Sequence, residues 1–186
     1  DSFMRPGHLA SQVWIVLAKT NVGKTLFMLN TFQSIRLLPG QEDKKILFVS
    51  LEQTRGDWFE RARRIWNFWN LECPPLDVNS ETLDYWRNNI LITDVNKMGV
   101  ESLVSAIDDF QDHMGQLPDL VAIDYLGYWA RSFKGVSKYE QVSEAIMSLK
   151  EVGKERRVPI LAPHQVSRSQ EFGKEVEVDS GRDSGA

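Results

Sequence analysis

Ala18-Lys19-Thr20-Asn21-Val22-Gly23-Lys24-Thr25 stands between an apolar run, Val13 to Leu17, and a helical pattern that starts at Thr25 and stops at Leu38, ahead of Pro39-Gly40. Strand, loop and helix in that order are the setting a Walker A phosphate loop requires. Backbone N–H groups of such a loop, and of the helix it opens, point at phosphate oxygens. Lys24 then balances charge on the β- and γ-phosphates, and the Thr25 hydroxyl sits on Mg²⁺. Gly23 lets the backbone approach closely without a Cβ. The residues expected to cradle a nucleotide are Ala18, Asn21, Val22, Gly23, Lys24, Thr25 and Leu26. Ala18 occupies the motif's first glycine position, so the spacing and context carry the reading and a strict pattern match does not. The plainer alternative is an ordinary strand–turn–helix with a chance Gly-Lys-Thr.

Four more short apolar runs follow: Ile46-Leu47-Phe48-Val49, Ile90 to Thr93, Leu120 to Ile123 and Val158 to Ala162. Runs of this length suit strands buried on both faces of a parallel sheet. Helical patterns lie between them. Thr54 to Trp69 starts with Thr54 and Asp57 in capping-box spacing and carries the stripe Trp58, Ala62, Ile65, Trp69, with Phe59 and Trp66 alongside. Its aromatic residues fall at helical spacing and are expected in the core rather than on a base-stacking platform. Val100 to Met114 presents Leu103, Ile107, Phe110 and Met114 on one face. Lys138 to Arg156 opens with Ser137 and Glu140 as a capping box and carries Tyr139, Val142, Ile146 and Leu149. Cys73 to Ser80 and Gly127 to Ser137 read as loops, and the polar stretch from Val166 onward as mobile. Alternating strands and helices predict an α/β domain with a mostly parallel central sheet flanked by helices.

Leu120-Val121-Ala122-Ile123-Asp124 is an apolar strand ending in a carboxylate, the form of a Walker B segment in which Asp124 holds Mg²⁺. A strand followed by a turn aspartate has the same appearance. Glu52 follows the second strand, and parallel sheets bind ligands at the carboxyl ends of their strands. A carboxylate there suits orienting an attacking water; it equally suits a solvated glutamate opening a helix. Gln165, just after the last apolar run, is placed to hydrogen-bond a γ-phosphate, although a loop glutamine has the same spacing.

The chain has 186 residues, 42% hydrophobic and 26% charged, which suits one globular domain. No run of about 18 apolar residues predicts a membrane span. Asp1 to Leu9 does not read as a secretory signal. Cys73 is the single cysteine, which precludes an internal disulfide and fits a reducing cytoplasm. A net charge of −4 argues against a protein that coats DNA along its whole surface, so any DNA contact must be local. His8, His113 and His164 have no zinc-ligand spacing.

Taken together, these segments resemble the C-terminal ATPase domain of DnaB-type replicative DNA helicases. Ala-x-x-x-x-Gly-Lys-Thr looks like that family's phosphate loop. Phe48-Val49-Ser50-Leu51-Glu52 is similar to its strand and catalytic glutamate, and Ile123-Asp124-Tyr125-Leu126 to its Walker B segment. Ser148-Leu149-Lys150, Val158-Pro159 and Gln165-Val166-Ser167-Arg168 follow in the family's order. Arg182-Asp183-Ser184-Gly185-Ala186 looks like its Arg-Glu-Ser-Gly segment, and Arg5-Pro6-Gly7 with Leu9 like its lead-in. Some features depart from the pattern. Gln53 stands where methionine is usual, His164 where a small polar residue is common, and the stretch from Leu9 to the phosphate loop is longer. Residues 70–90 find no match.

The resemblance implies a RecA-like P-loop NTPase fold over residues 1–186, trimmed of strands that the family carries further on. It implies Glu52 as catalytic base, Lys24 as a catalytic cation and Gln165 as phosphate sensor, with ATP and Mg²⁺ bound. It further implies a homo-hexamer that translocates on single-stranded DNA in the cytoplasm of a bacterium or in its phage's replication machinery, with primase or a helicase loader as partners. Residues 166–186 would be a channel loop holding DNA through Arg168, Lys174 and Arg182, and a plain tail is the other reading. The family's basic residues that reach a neighbour's γ-phosphate would lie beyond Ala186, so no arginine finger is assigned, and neither Arg131 nor Arg168 takes that role. Two other functions share these motifs: a RecA- or RadA-like recombinase that forms filaments, and an ATP-gated assembly or regulatory module that unwinds nothing.

Overall fold

The apolar runs do form strands, and every one is matched to its neighbour in parallel. The computed structural model describes residues 11–19, 22–41, 43–69, 80–95, 98–135 and 137–166. Its elements run β1 (Val13–Lys19), α1 (Lys24–Leu37), β2 (Ile46–Ser50), α2 (Arg55–Trp69), α3 (Ser80–Asn89), β3 (Ile90–Asp94), α4 (Val100–Met114), β4 (Leu120–Asp124), α5 (Leu126–Ala130), α6 (Lys138–Arg156) and β5 (Ile160–Val166). The strand order is β1-β5-β4-β2-β3. The last strand therefore inserts between the first and the fourth, with Ala18 opposite Gln165, while Ser50 stands opposite Asp124.

Successive residues of the central strands face opposite sides of the sheet, and both sides are dry. Leu47, Val49, Val121, Ile123, Ile160 and Ala162 pack with α4, α5 and α6. Ile46, Phe48, Leu120, Ala122 and Leu161 pack with α1, α2 and α3. The β2 and β4 strands are buried along their whole length, which is why they read as unbroken apolar runs. Among the described residues no helix is long and apolar enough to cross a membrane.

Two helix starts, those of α6 and α2, carry side-chain caps. Ser137 accepts from the Glu140 N–H, and the Glu140 carboxylate accepts from the Ser137 N–H, completing the expected box. At α2, Thr54 Oγ1 accepts from the Asp57 N–H at 3.2 Å, but the return bond runs from the Thr54 hydroxyl to the Asp57 carboxylate at 2.7 Å instead of to backbone. Thr54 is therefore a cap without the full box. Phe110, Leu103 and Ile107 are buried as their spacing predicts, and Tyr139 is not: it is 81% exposed.

Four further expectations need correction. A helix, α3, occupies Ser80–Asn89, where the sequence pattern predicts no element. Its anchor is Trp86, 4% exposed, whose ring lies 4.5 Å from that of Trp58. The segment 127–137 is not loop throughout, since α5 holds Leu126–Ala130 with Leu126 and Trp129 buried. β5 starts at Ile160 instead of Val158 and runs to Val166, so Gln165 lies within the strand. Its ladder with β4 extends only as far as Leu161, while that with β1 continues to Val166. Pro163 thus falls where the strand needs one partner only. Phe59 is not core but 39% exposed. The stretches 70–79 and 167–186, and the side chains of Ile65, Trp66 and Trp69, lie outside the described residues.

Trp58 is the keystone of the face carrying α1 to α3. It is fully buried, 4.8 Å from the Phe48 ring, and its indole N–H has no hydrogen-bond partner among the described residues. Its contribution is therefore packing alone. Trp58→Ala is expected to cost about 3–5 kcal/mol of stability, with Trp58→Phe losing distinctly less. Urea unfolding followed by circular dichroism measures both; equal losses for the two variants would contradict a packing role.

Candidate phosphate site at the carboxyl edge of the sheet

Parallel strands bring all their carboxyl ends to one edge, and the strand order decides which ends are neighbours. At this edge β1 delivers the loop to Lys24, β5 delivers Gln165, β4 delivers Asp124 and β2 delivers Glu52. Residues far apart in the chain come into contact there. Thr25 Oγ1 donates to Asp124 Oδ2 at 2.9 Å. Lys24 Nζ donates to Gln165 Oε1 at 3.4 Å and stands 5.3 Å from the centre of the Tyr125 ring.

The loop turns into α1 at Gly23, whose φ of +93° belongs to the left-handed region. A Cβ there would meet Leu26 only at ordinary contact distances, so the backbone angle, and not crowding by the protein, is what calls for glycine. Gly23 then accepts the Phe27 N–H at 2.8 Å, closing the first turn. Val22 and Leu26 are exposed at 60% and 48%. Ala18 lies in β1; Asn21 lies outside the described residues.

Asp124 is 1% exposed. Its Oδ2 takes the Thr25 hydroxyl, and its Oδ1 is buried with no partner among the described residues. Burial pushes the Asp124 carboxyl up, the Thr25 hydroxyl pulls it back, and the Glu52 carboxylate pushes it up again through space. A buried carboxylate oxygen left over beside a hydroxyl is a fit for a hard cation. No group of three or more His, Cys, Asp or Glu side chains gathers among the described residues. A cation here would accordingly complete its shell with phosphate oxygens and water, the habit of Mg²⁺.

Glu52 is exposed at the tip of the turn after β2. The turn is fixed from both sides: the Leu51 N–H donates to the Asp124 carbonyl at 2.9 Å, and Ser50 Oγ donates to the Gln53 carbonyl at 2.6 Å. Burial pushes the Tyr125 hydroxyl up, and the Glu52 carboxylate raises it further, as it does Asp124. His164, one residue before the glutamine, is half-buried with Nδ1 unpartnered among the described residues, and burial lowers its pKa. Arg168, Lys174 and Arg182 lie outside the described residues.

Two residues that sequence reasoning does not assign also belong to this edge. Arg61, on α2, acts electrostatically on Asp124. It has no hydrogen bond or ion pair among the described residues, whereas its neighbours Arg63 and Arg64 are both tied to Glu60. Tyr125 presents its ring to Lys24. The signal for Tyr125 is its place directly after the strand-end aspartate. Arg61 offers none, because only the packing of Trp58 and Ala62 against the sheet sets the direction of its helix face.

Comparison with known proteins agrees with this architecture. The sequence model of the DnaB-like helicase C terminal domain matches residues 2–186. The chain is 26% identical over 180 residues to the replicative DNA helicase DnaB of Geobacillus stearothermophilus, covering 90% of this chain and 38% of that protein. It is 24% identical over 173 residues to a probable replicative DNA helicase of Guillardia theta, covering 87% and 28%. The chain thus spans about a third of the length of these relatives. Among solved structures, a DnaB-like replicative helicase described with its interactions with primase superposes with a TM-score of 0.65 at 23% identity, over 86% of this chain and 40% of that one. The ATPase domain of G40P superposes with a TM-score of 0.64 at 21% identity, over 87% and 59%. A five-stranded parallel sheet with RecA-like neighbours, matched along almost its entire sequence, places this chain in the family of DnaB-like helicase C-terminal domains.

Proposed function

We propose that this chain is the ATP-hydrolysing motor of a replicative DNA helicase. The observation that supports it best is the meeting of Lys24, Thr25, Asp124 and Gln165 at one edge of the sheet. These are the group types that phosphoryl transfer needs, because its catalysis is mostly positioning and charge stabilisation. Lys24 neutralises phosphate oxygens. Thr25 and Asp124 hold Mg²⁺, which when bound draws charge from the leaving phosphate. Glu52, exposed and facing the same edge, orients and polarises the attacking water. Gln165 contacts the transferred phosphate and, because β5 leads directly into residues 167–186, passes its loss to that segment. Arg168, Lys174 and Arg182 in that segment hold the backbone of single-stranded DNA without reading sequence.

In the complete protein we further propose a cytoplasmic homo-hexameric ring, with primase and a loader among its partners. The test is direct. The complete protein is expected to displace an annealed strand in the presence of Mg²⁺ and ATP, and to form closed six-membered rings with nucleotide and single-stranded oligonucleotide under the electron microscope. Helical filaments would favour a recombinase, and nucleotide binding without strand displacement an assembly module. In the same protein, Arg168→Ala with Lys174→Ala is expected to weaken single-strand binding and to flatten its dependence on salt by about one unit of slope for each phosphate no longer neutralised. An unchanged slope would remove the loop from the DNA path.

A further inference from the structure

The ammonium of Lys24 meets two groups at this edge. The first is the Gln165 amide oxygen at 3.4 Å. The second is the face of Tyr125, 5.3 Å from ammonium to ring centre. The ring is itself braced. Tyr128 meets it edge-on with centroids 5.0 Å apart, and the Arg131 guanidinium sits 4.2 Å from the Tyr128 ring on α5. Cation, ring, ring and cation thus follow one another in contact from Lys24 to Arg131, with the two rings edge to face. The space for the first ring is provided by a single residue. A Cβ on Gly127 would come within 2.5 Å of Tyr125 Cε2, 3.2 Å of Cδ2 and 3.4 Å of Cζ. Any larger residue at that position pushes the ring off its site.

We propose that Tyr125 is a positioning residue for Lys24: its ring face and the Gln165 amide hold the ammonium over the phosphate loop before nucleotide arrives, and Gly127 is what admits the ring. The inference rests on the phosphate-site reading above and adds a residue to it. A lysine has a long, freely rotating stem with much rotamer entropy to lose. Two weak contacts that narrow its range in the empty site reduce the cost of ordering it around phosphate. The attraction comes from the electron-rich ring face, not the hydroxyl, so phenylalanine should replace tyrosine and an aliphatic residue should not.

The experiment uses the 186-residue chain and two readouts, lysine side-chain NMR without nucleotide and calorimetric titration with Mg²⁺ and ATP. In the wild type the Lys24 ε-methylene signals are expected upfield of ordinary lysines, from the ring current of Tyr125. Tyr125→Leu should abolish that shift and weaken nucleotide binding roughly three- to tenfold, the range of a partly exposed cation–π contact. Tyr125→Phe should preserve both. Gly127→Ala is the second probe: alanine favours the helix it joins, and the atoms it displaces are the far end of one side chain, so the fold stays and the ring moves. It should reproduce the Tyr125→Leu result. Lys24 shifts and affinities that are the same in all four proteins would overturn the proposal. A wild type that binds no nucleotide would instead defeat the phosphate-site reading, while the nucleotide-free Lys24 shifts would still decide whether the ring holds the ammonium.

Discussion

Lys24→Ala is expected to weaken ATP binding by roughly 100-fold, because a charge-assisted contact to phosphate contributes about 3 kcal/mol and each 1.4 kcal/mol is tenfold. The loss should be confined to binding. Lys24 begins α1, where alanine is an excellent helix former, and its ammonium meets the Gln165 amide and the Tyr125 ring at the edge of the sheet, away from the core. Calorimetric titration with Mg²⁺ and ATP gives the affinity, and far-ultraviolet circular dichroism verifies the fold. The two measurements separate a missing cation from a missing domain. Retained affinity in a folded variant would mean that phosphate binds elsewhere, and the roles of Thr25, Asp124 and Gln165 would go with it.

Glu52→Gln carries the second large effect, in the opposite pattern. A positioned general base contributes about 10²- to 10⁴-fold to a rate, so ATP hydrolysis by the complete protein should fall by roughly that range. Nucleotide affinity should change little. The substitution keeps the size of the side chain, and the turn that presents it is held by the Ser50 hydroxyl, the Gln53 carbonyl and the Leu51–Asp124 backbone bond. None of these involves the Glu52 carboxylate. Comparing single-turnover hydrolysis with equilibrium binding makes the distinction. Undiminished hydrolysis would return Glu52 to the status of a solvated surface carboxylate. A parallel fall in affinity would show that it helps to hold nucleotide.

The pattern of the two outcomes follows from the location of each residue. Lys24 opens α1 and contacts Gln165 of β5 and Tyr125 between β4 and α5, whereas Glu52 is exposed at the edge. On the proposed reading the first prepares a place for charge and the second acts on a water molecule beside it. Trp58 belongs to neither; it lies in the core beneath α2, and its loss should lower stability without altering the site's own groups.

Much of this architecture is readable from residue order, for local reasons. Val13 to Val16, Ile46 to Val49 and Leu120 to Ile123 alternate over two apolar faces, and the two inner runs are buried on both and so cannot be anything but apolar; Leu17, at the end of the first run, is 63% exposed. Ser137 and Glu140 announce the start of α6 because a cap is satisfied within four residues. The loop ending in Lys24-Thr25 is legible because its backbone geometry and its chemistry come from contiguous residues. The α3 helix is different: its sequence is mostly polar, and Trp86 marks it as an element only once Trp58 is there to pack against. Likewise α5 contains Gly127, which locally reads as a break, and is held by the burial of Leu126 and Trp129.

Adjacency across the sheet is where local information ends. Nothing near Pro163 in the chain indicates that β5 continues through Gln165; the pairing of Val16 with Pro163 and Ala18 with Gln165 does. Asp124 becomes a buried carboxylate with one oxygen left over only because α1 sets Thr25 against it. The Tyr125 ring finds Lys24 only because β5 separates β1 from β4 by one strand and Gly127 leaves room. Short-range order is written in side-chain periodicity and caps, which involve neighbours a few residues apart. A site assembled from four strand ends depends on strand order, a property of the whole packed sheet that no segment carries alone.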